Sequence, residues 1–157
     1  MVNLDKKTAP VLCALLLLLT TAAAAHSYKL GAIEIGHSWA RATAAGAQAA
    51  GVYMPFRNTG PESDTLTGAE TPVAAMVMIH ESYEENGIAK MRMLEALELT
   101  PNKPVALRPG GKHLMLTGVK RQLKEGDTFP LTLHFAKAGN IDIEIIVHAP
   151  GAKSGGH

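Results

Sequence analysis

Beyond its first 25 residues the chain alternates apolar and polar positions with a period of two. Phe129, Leu131, Leu133 and Phe135 fall on one side of such a pattern, and Ile141, Ile143, Ile145 and Val147 form a second set. This is the period of a half-buried strand, not of a helix. The same criterion predicts strands over residues 30–35, 52–59, 75–82, 89–94, 105–107 and 114–116, besides 129–135 and 141–147. Turn chemistry separates them at Asn58-Thr59-Gly60-Pro61, Asn86-Gly87, Pro109-Gly110-Gly111, Glu125-Gly126-Asp127 and Gly139-Asn140. Residues 42–50 are the one helix-like stretch, but Gly46 and Gly51 weaken it, and a loop is expected there. Many short strands with regular turns predict an all-β sandwich or barrel.

The first 25 residues read differently. Lys6 and Lys7 precede an apolar run over residues 11–19, and Ala23-Ala24-Ala25 supplies a small-residue cleavage site. That order is the order of a secretory leader, and the apolar run is too short to span a bilayer. Cys13 lies inside the apolar run after Leu12, where a lipoprotein signal needs a small residue, so lipidation is not expected. Cleavage after Ala25 leaves 132 of the 157 residues, the length of one domain. The expected division is a leader over 1–25, a β domain over 26–149 and a flexible tail over 150–157.

Composition then narrows the function classes. Cys13 is the only cysteine, so the mature protein has none. Loss of Lys6, Lys7 and Asp5 with the leader leaves 13 of 15 basic and 13 of 14 acidic residues. A neutral chain gives no support to nucleic-acid or membrane-surface binding. No internal repeat and no long charge run is present.

Chemistry concentrates between Met76 and Met115. Five of the six methionines beyond Met1 lie here, with His80 and His113. Thioethers are soft donors that suit Cu(I), whereas zinc sites draw on Cys, His and carboxylate, and calcium and magnesium want oxygen. A single methionine on a strand is commonly core filler, so the argument rests on the group. Side chains at i and i+2 of a strand share a face roughly 7 Å apart. His113 and Met115 therefore share a face, as do Met76, Met78 and His80. Asn86-Gly87 makes the strands on either side a hairpin. A two-residue turn pairs His80 with Met93, and a four-residue loop pairs it with Met91. In both registers Met91 and Met93 point to the face of His80, and the residues alone leave them tied.

His80, Met91, His113 and Met115 stand in the spacing H-x10-M-x21-H-x-M. With the segments HSWARAT, IAKMRMLEALEL and LRPGGKHLMLTGVK, the chain resembles the PCu(A)C family of periplasmic copper chaperones over essentially its whole mature length. The resemblance implies a cupredoxin-like Greek-key β-sandwich or barrel. It implies a non-enzymatic protein that binds Cu(I) through His80, Met91, His113 and Met115, which breaks the tie towards Met91 and leaves Met78 and Met93 as supporting residues. It further implies a soluble periplasmic location and delivery of copper to the dinuclear centre of cytochrome c oxidase. Subunit II of that oxidase or a Sco-type assembly protein would be the acceptor. Sequestration of copper by the same site is the alternative destination. A second alternative is Cu(II) held by His26, which cleavage would make the N-terminal residue. His37 is expected to fix a strand start, and His134 and His148 to lie at the surface. The tail, with His157, lacks the His- and Met-rich extension of some relatives.

Overall fold

The computed structural model describes residues 26–155. The leader and its cleavage site lie outside the described residues. Twelve strands follow one another without a helix among the described residues: β1 (Tyr28–Leu30), β2 (Ile33–Ile35), β3 (Trp39–Arg41), β4 (Ala49–Asn58), β5 (Asp64–Glu70) and β6 (Met76–Glu85), then β7 (Ile88–Leu94), β8 (Leu97–Leu99), β9 (Val105–Leu107), β10 (Lys112–Thr117), β11 (Thr128–Phe135) and β12 (Gly139–His148). The all-β class expected from the alternation is the class observed. No helix among these residues is long and apolar enough to cross a membrane.

The strands pair in the order β7-β6-β10-β4-β3-β12-β11-β5-β8, so neighbours in space are mostly not neighbours in sequence. β4 is the spine. Its first half lies between β10 and β3, and its second half between β9 and β2. One strand thereby serves two sheet segments. Ala50, Val52, Met54 and Phe56 of β4 all turn inward, as period two requires. They meet Leu114 and Leu116 of β10, Leu131 and Leu133 of β11 and Ile145 and Val147 of β12 in one continuous core. Burial of that many aliphatic side chains is the main stabilising term, at about 25 cal/mol per Å² of apolar surface.

The structure departs from the sequence pattern in two ways. Residues 30–35 are not one strand, because Gly31 takes a left-handed backbone (φ 57°) and turns β1 back on β2. β5 and β8 were not expected, and β3 lies outside the predicted ranges although it begins at Trp39, two residues after the His37 that was expected to fix a strand start. β3 and β8 have three residues each. In β5 the sequence DTLTGAE carries a single large apolar residue, Leu66, and the strand is anchored by polar groups instead. Buried Asp64 accepts from the backbone amides of Thr65, Lys137 and Ala138. Buried Asn58 donates to the carbonyls of Glu62 and Leu99. Residues 42–48 form the expected loop, and β4 begins at Ala49.

Candidate metal centre

The hairpin β6–β7 closes through Asn86 (φ 55°) and Gly87 (φ 75°), the two left-handed positions of a two-residue hairpin turn. Its register pairs His80 with Met93 and Ser82 with Met91. β10 lies on the other side of β6 and pairs His113 with His80 and Met115 with Met78. Gly51 of β4 faces Met115. Successive side chains on a strand alternate faces, so Met93, His80, His113 and Tyr53 form one row across the outer face of the sheet. Met78, Met115 and Gly51 form the next. Ile79, Leu114 and Leu116 point the opposite way, into the core.

The register alone would favour Met93, the direct partner of His80. The side chains meet differently. Met91 reaches His80 on the diagonal, with its Sδ 3.1 Å from His80 Nδ1. Diagonal neighbours across an antiparallel pair are within reach of long side chains. A nitrogen and a sulfur at that spacing have the separation of two donors on one ion, with metal–donor bonds of roughly 2.0–2.3 Å. The two imidazoles stand with ring centroids 5.9 Å apart, steeply inclined at 73°. Met115 follows His113 by two residues on the same face, so two imidazoles and two thioethers gather on one patch of three strands.

His113 is the fixed member, only 4% exposed. Its Nδ1 lies 3.0 Å from the Gly111 carbonyl, which can only accept, so Nδ1 carries the proton. The lone pair is left on Nε2, and a backbone acceptor of this kind orients a ligating histidine. The carbonyl is placed by the turn Arg108-Pro109-Gly110-Gly111, in which Gly110 takes φ 78° and Gly111 N–H donates to Arg108 O at 3.1 Å. Pro followed by a left-handed Gly is the requirement of a type II turn. Burial first, and then repulsion from His113, hold the His80 imidazolium below the ordinary histidine range. His80 therefore stays neutral, as a metal ligand must be, to lower pH than an exposed imidazole.

Among the described residues no three of His, Cys, Asp and Glu gather in a way that could hold a metal. A metal on this patch that takes more protein donors than the two imidazoles would draw on the thioethers, which favours a soft ion over zinc. The methionines are also unusually placed for core filler. Met76, Met91 and Met93 are 57%, 50% and 63% exposed. β7 pairs only with β6, so Met91 sits on an edge strand. The opposite side of that hairpin is polar, with Arg92 bound to Glu81 at 2.6 Å and lying over the Tyr83 ring at 5.2 Å. Lys90 also pairs with Glu85.

Tyr53 and Gly51 belong to the patch although nothing in the local pattern singled them out. Tyr53 stands beside His113 (6.4 Å between centroids) and packs on Trp39 (4.6 Å). A Cβ on Gly51 would lie 2.4 Å from the Tyr53 hydroxyl oxygen. Gly51→Ala must therefore push the ring away from its seat. Overpacking of this kind costs typically ~1–3 kcal/mol. The expected result in chemical denaturation is a loss of that size, together with a change in the environment of the His113 ring seen by NMR.

Soft and imidazole donors on the outer face of a small all-β domain form a donor set suited to a soft metal ion. Residues 33–147 match the family described as "Putative lipoprotein LpqE-like", and the chain belongs to that LpqE-like (PCuAC) family. It is 27% identical over 116 residues to "Putative lipoprotein Lxx21020" of Leifsonia xyli subsp. xyli, a match covering 73% of this chain and 69% of that one. Among solved structures it superposes on "Copper-bound PCuAC domain from PmoF2" with TM-score 0.70 and 31% identity, over 80% of this chain and 99% of that one. It also superposes on the Cu(I) form of DR1885 from Deinococcus radiodurans with TM-score 0.63 and 25% identity, over 83% and 85%.

Proposed function

We propose that this protein is a periplasmic copper chaperone that holds Cu(I) through His80, Met91, His113 and Met115. The observation that carries the reading is the meeting of His80 with His113 and, on the diagonal, with Met91. It joins residues from three strands into one thioether–imidazole patch. The copper-bound neighbours support the choice of metal. Copper here is cargo. Cu(I) is d10 and tolerates few ligands, so neutral thioethers and imidazoles hold it without the trapping that thiolates give. The absence of cysteine from the mature sequence suits an oxidising compartment, where thiols are lost to disulfides.

Release follows from the unequal anchoring of the donors. Met91 is half exposed on an edge strand and would dissociate first, opening a position to an acceptor's donor atom. His113, buried and held by Gly111 O, would leave last. Such stepwise exchange suits a cysteine-bearing acceptor, and subunit II of cytochrome c oxidase or a Sco-type assembly protein is the acceptor we favour.

A deletion strain separates delivery from sequestration. Delivery predicts loss of oxidase activity that added copper restores. Copper sensitivity with normal oxidase activity would instead assign the same site to resistance. Location has its own test. Intact-mass measurement of the protein recovered from the periplasm should show His26 as the first residue, and a lipid mass on Cys13 would replace the soluble assignment with a membrane anchor.

A further inference from the structure

A second imidazole pair lies on the same outer face, five strands from β7. β12 runs parallel to β3, with Ile146 beside Trp39 and His148 beside Arg41. In this register His148 is offset by four residues from His37, which lies two residues before Trp39, and the two side chains nevertheless meet. The two Nε2 atoms are 3.1 Å apart, with the rings inclined at 69°. Both histidines of the pair are half-buried. The tail closes on it from one side: Arg41 Nε donates to Ala152 O at 2.7 Å, and Gly155 comes against His37 and Trp39.

We propose that His37 and His148 form a second metal site, one that takes Cu(II). Two nitrogens 3.1 Å apart subtend about 100° at an ion bonded to each at roughly 2.0–2.1 Å. That angle lies between the square-planar and tetrahedral values. Without metal the two Nε2 atoms are at hydrogen-bond distance. Loading requires the donor ring to move its proton to Nδ1 and both Nε2 lone pairs to turn towards the ion. The Met54 thioether, which receives the hydroxyl of Ser38 next to His37, is fully buried in the core and is not offered to the pair. Imidazole nitrogens without sulfur favour Cu(II), which stands highest among the divalent first-row ions. One face of the sheet would thus carry a soft site at His80 and His113 and a nitrogen site at His37 and His148. The second site does not depend on the first being correct.

Trp39 is the only tryptophan and supplies the readout. Its ring lies 5.7 Å from that of His148, whereas Tyr53 separates it from His113. Paramagnetic Cu(II) bound at the pair should quench it strongly. The experiment titrates copper sulfate, in air, into metal-free mature protein carrying His26→Ala, which removes the competing N-terminal chelate. Fluorescence and electron paramagnetic resonance are followed together. The expected result is quenching that saturates at one equivalent, with nitrogen hyperfine structure, reversed by excess zinc as a diamagnetic competitor. His148→Gln should weaken this binding at least tenfold, and so should His37→Gln, which covers the case that one variant folds poorly. His80→Ala should leave it unchanged. Equal quenching by the His148→Gln and parent proteins would overturn the proposal. So would loss of quenching in His80→Ala, which would place the Cu(II) at the other histidine pair.

Discussion

Met115→Leu should weaken Cu(I) binding by on the order of 10- to 100-fold while leaving the fold almost untouched. The two side chains are similar in volume and both apolar, so the exchange should cost less than ~1.5 kcal/mol. Met115 is only partly buried, on the outer face between Met78 and Gly51, which reduces the packing cost further. The affinity loss is set at that size because even outer-shell partners of a metal typically cost 10–100-fold. Comparison of Met91→Leu with Met93→Leu tests the geometry more sharply. Both are exposed residues of β7, so neither exchange should alter stability much. Met91 touches His80 and Met93 is its register partner without that contact. Competition against a Cu(I) chelator should show a clear loss for Met91→Leu and a much smaller one for Met93→Leu. If the two variants exchange these outcomes, the diagonal contact does not describe the loaded site.

Acid should release the copper. Both imidazoles must be neutral to coordinate, and the thioethers carry no proton in this range. Affinity should fall by up to about tenfold per pH unit for each histidine that takes up a proton, giving a limiting slope near ~2 in log affinity against pH. For His80 the fall is delayed. Its folded-state pKa is lowered, by burial and then by His113, so its share of the loss sets in below the ordinary ~6.5. The same shift has a consequence for the metal-free protein. As pH falls through ~6.5 the unfolded chain takes up the proton first, so stability declines until the folded-state value is passed. A chelator titration corrected for the chelator's own protonation tests the first effect, and thermal unfolding of the apo protein tests the second. A flat affinity profile from pH 7.5 to 5 would falsify the assignment of both histidines as ligands.

Much of the candidate site was legible because strands alternate. Period two alone puts His113 with Met115, and His80 with Met78, since neither backbone nor packing can rotate one member of an i, i+2 pair independently. Asn86-Gly87 likewise announced a hairpin, because few other dipeptides accept two left-handed positions. The identity of the donors, soft and thiol-free, is a matter of composition and needs no coordinates. What the residues left tied was Met91 against Met93. The resemblance to the PCu(A)C family favoured Met91, and the observed two-residue turn has the register that pairs His80 with Met93. Side-chain reach across the diagonal reconciles the two.

Tertiary structure alone decided which strands lie side by side. Nothing local says that β10 inserts between β6 and β4, yet that insertion sets His80 opposite His113 and places Met115 between Met78 and Gly51. The short strands β3 and β8 are set by the partners they hydrogen-bond. β5 depends on the buried carboxylate of Asp64 as much as on Leu66. The pairing of His37 with His148 is the extreme case. The two are 111 residues apart, and they meet only because the fold brings β12 alongside β3. Alternation is a property of neighbouring residues and can be read from them. Strand order depends on how the whole apolar surface is buried at once, and no single segment contains that information.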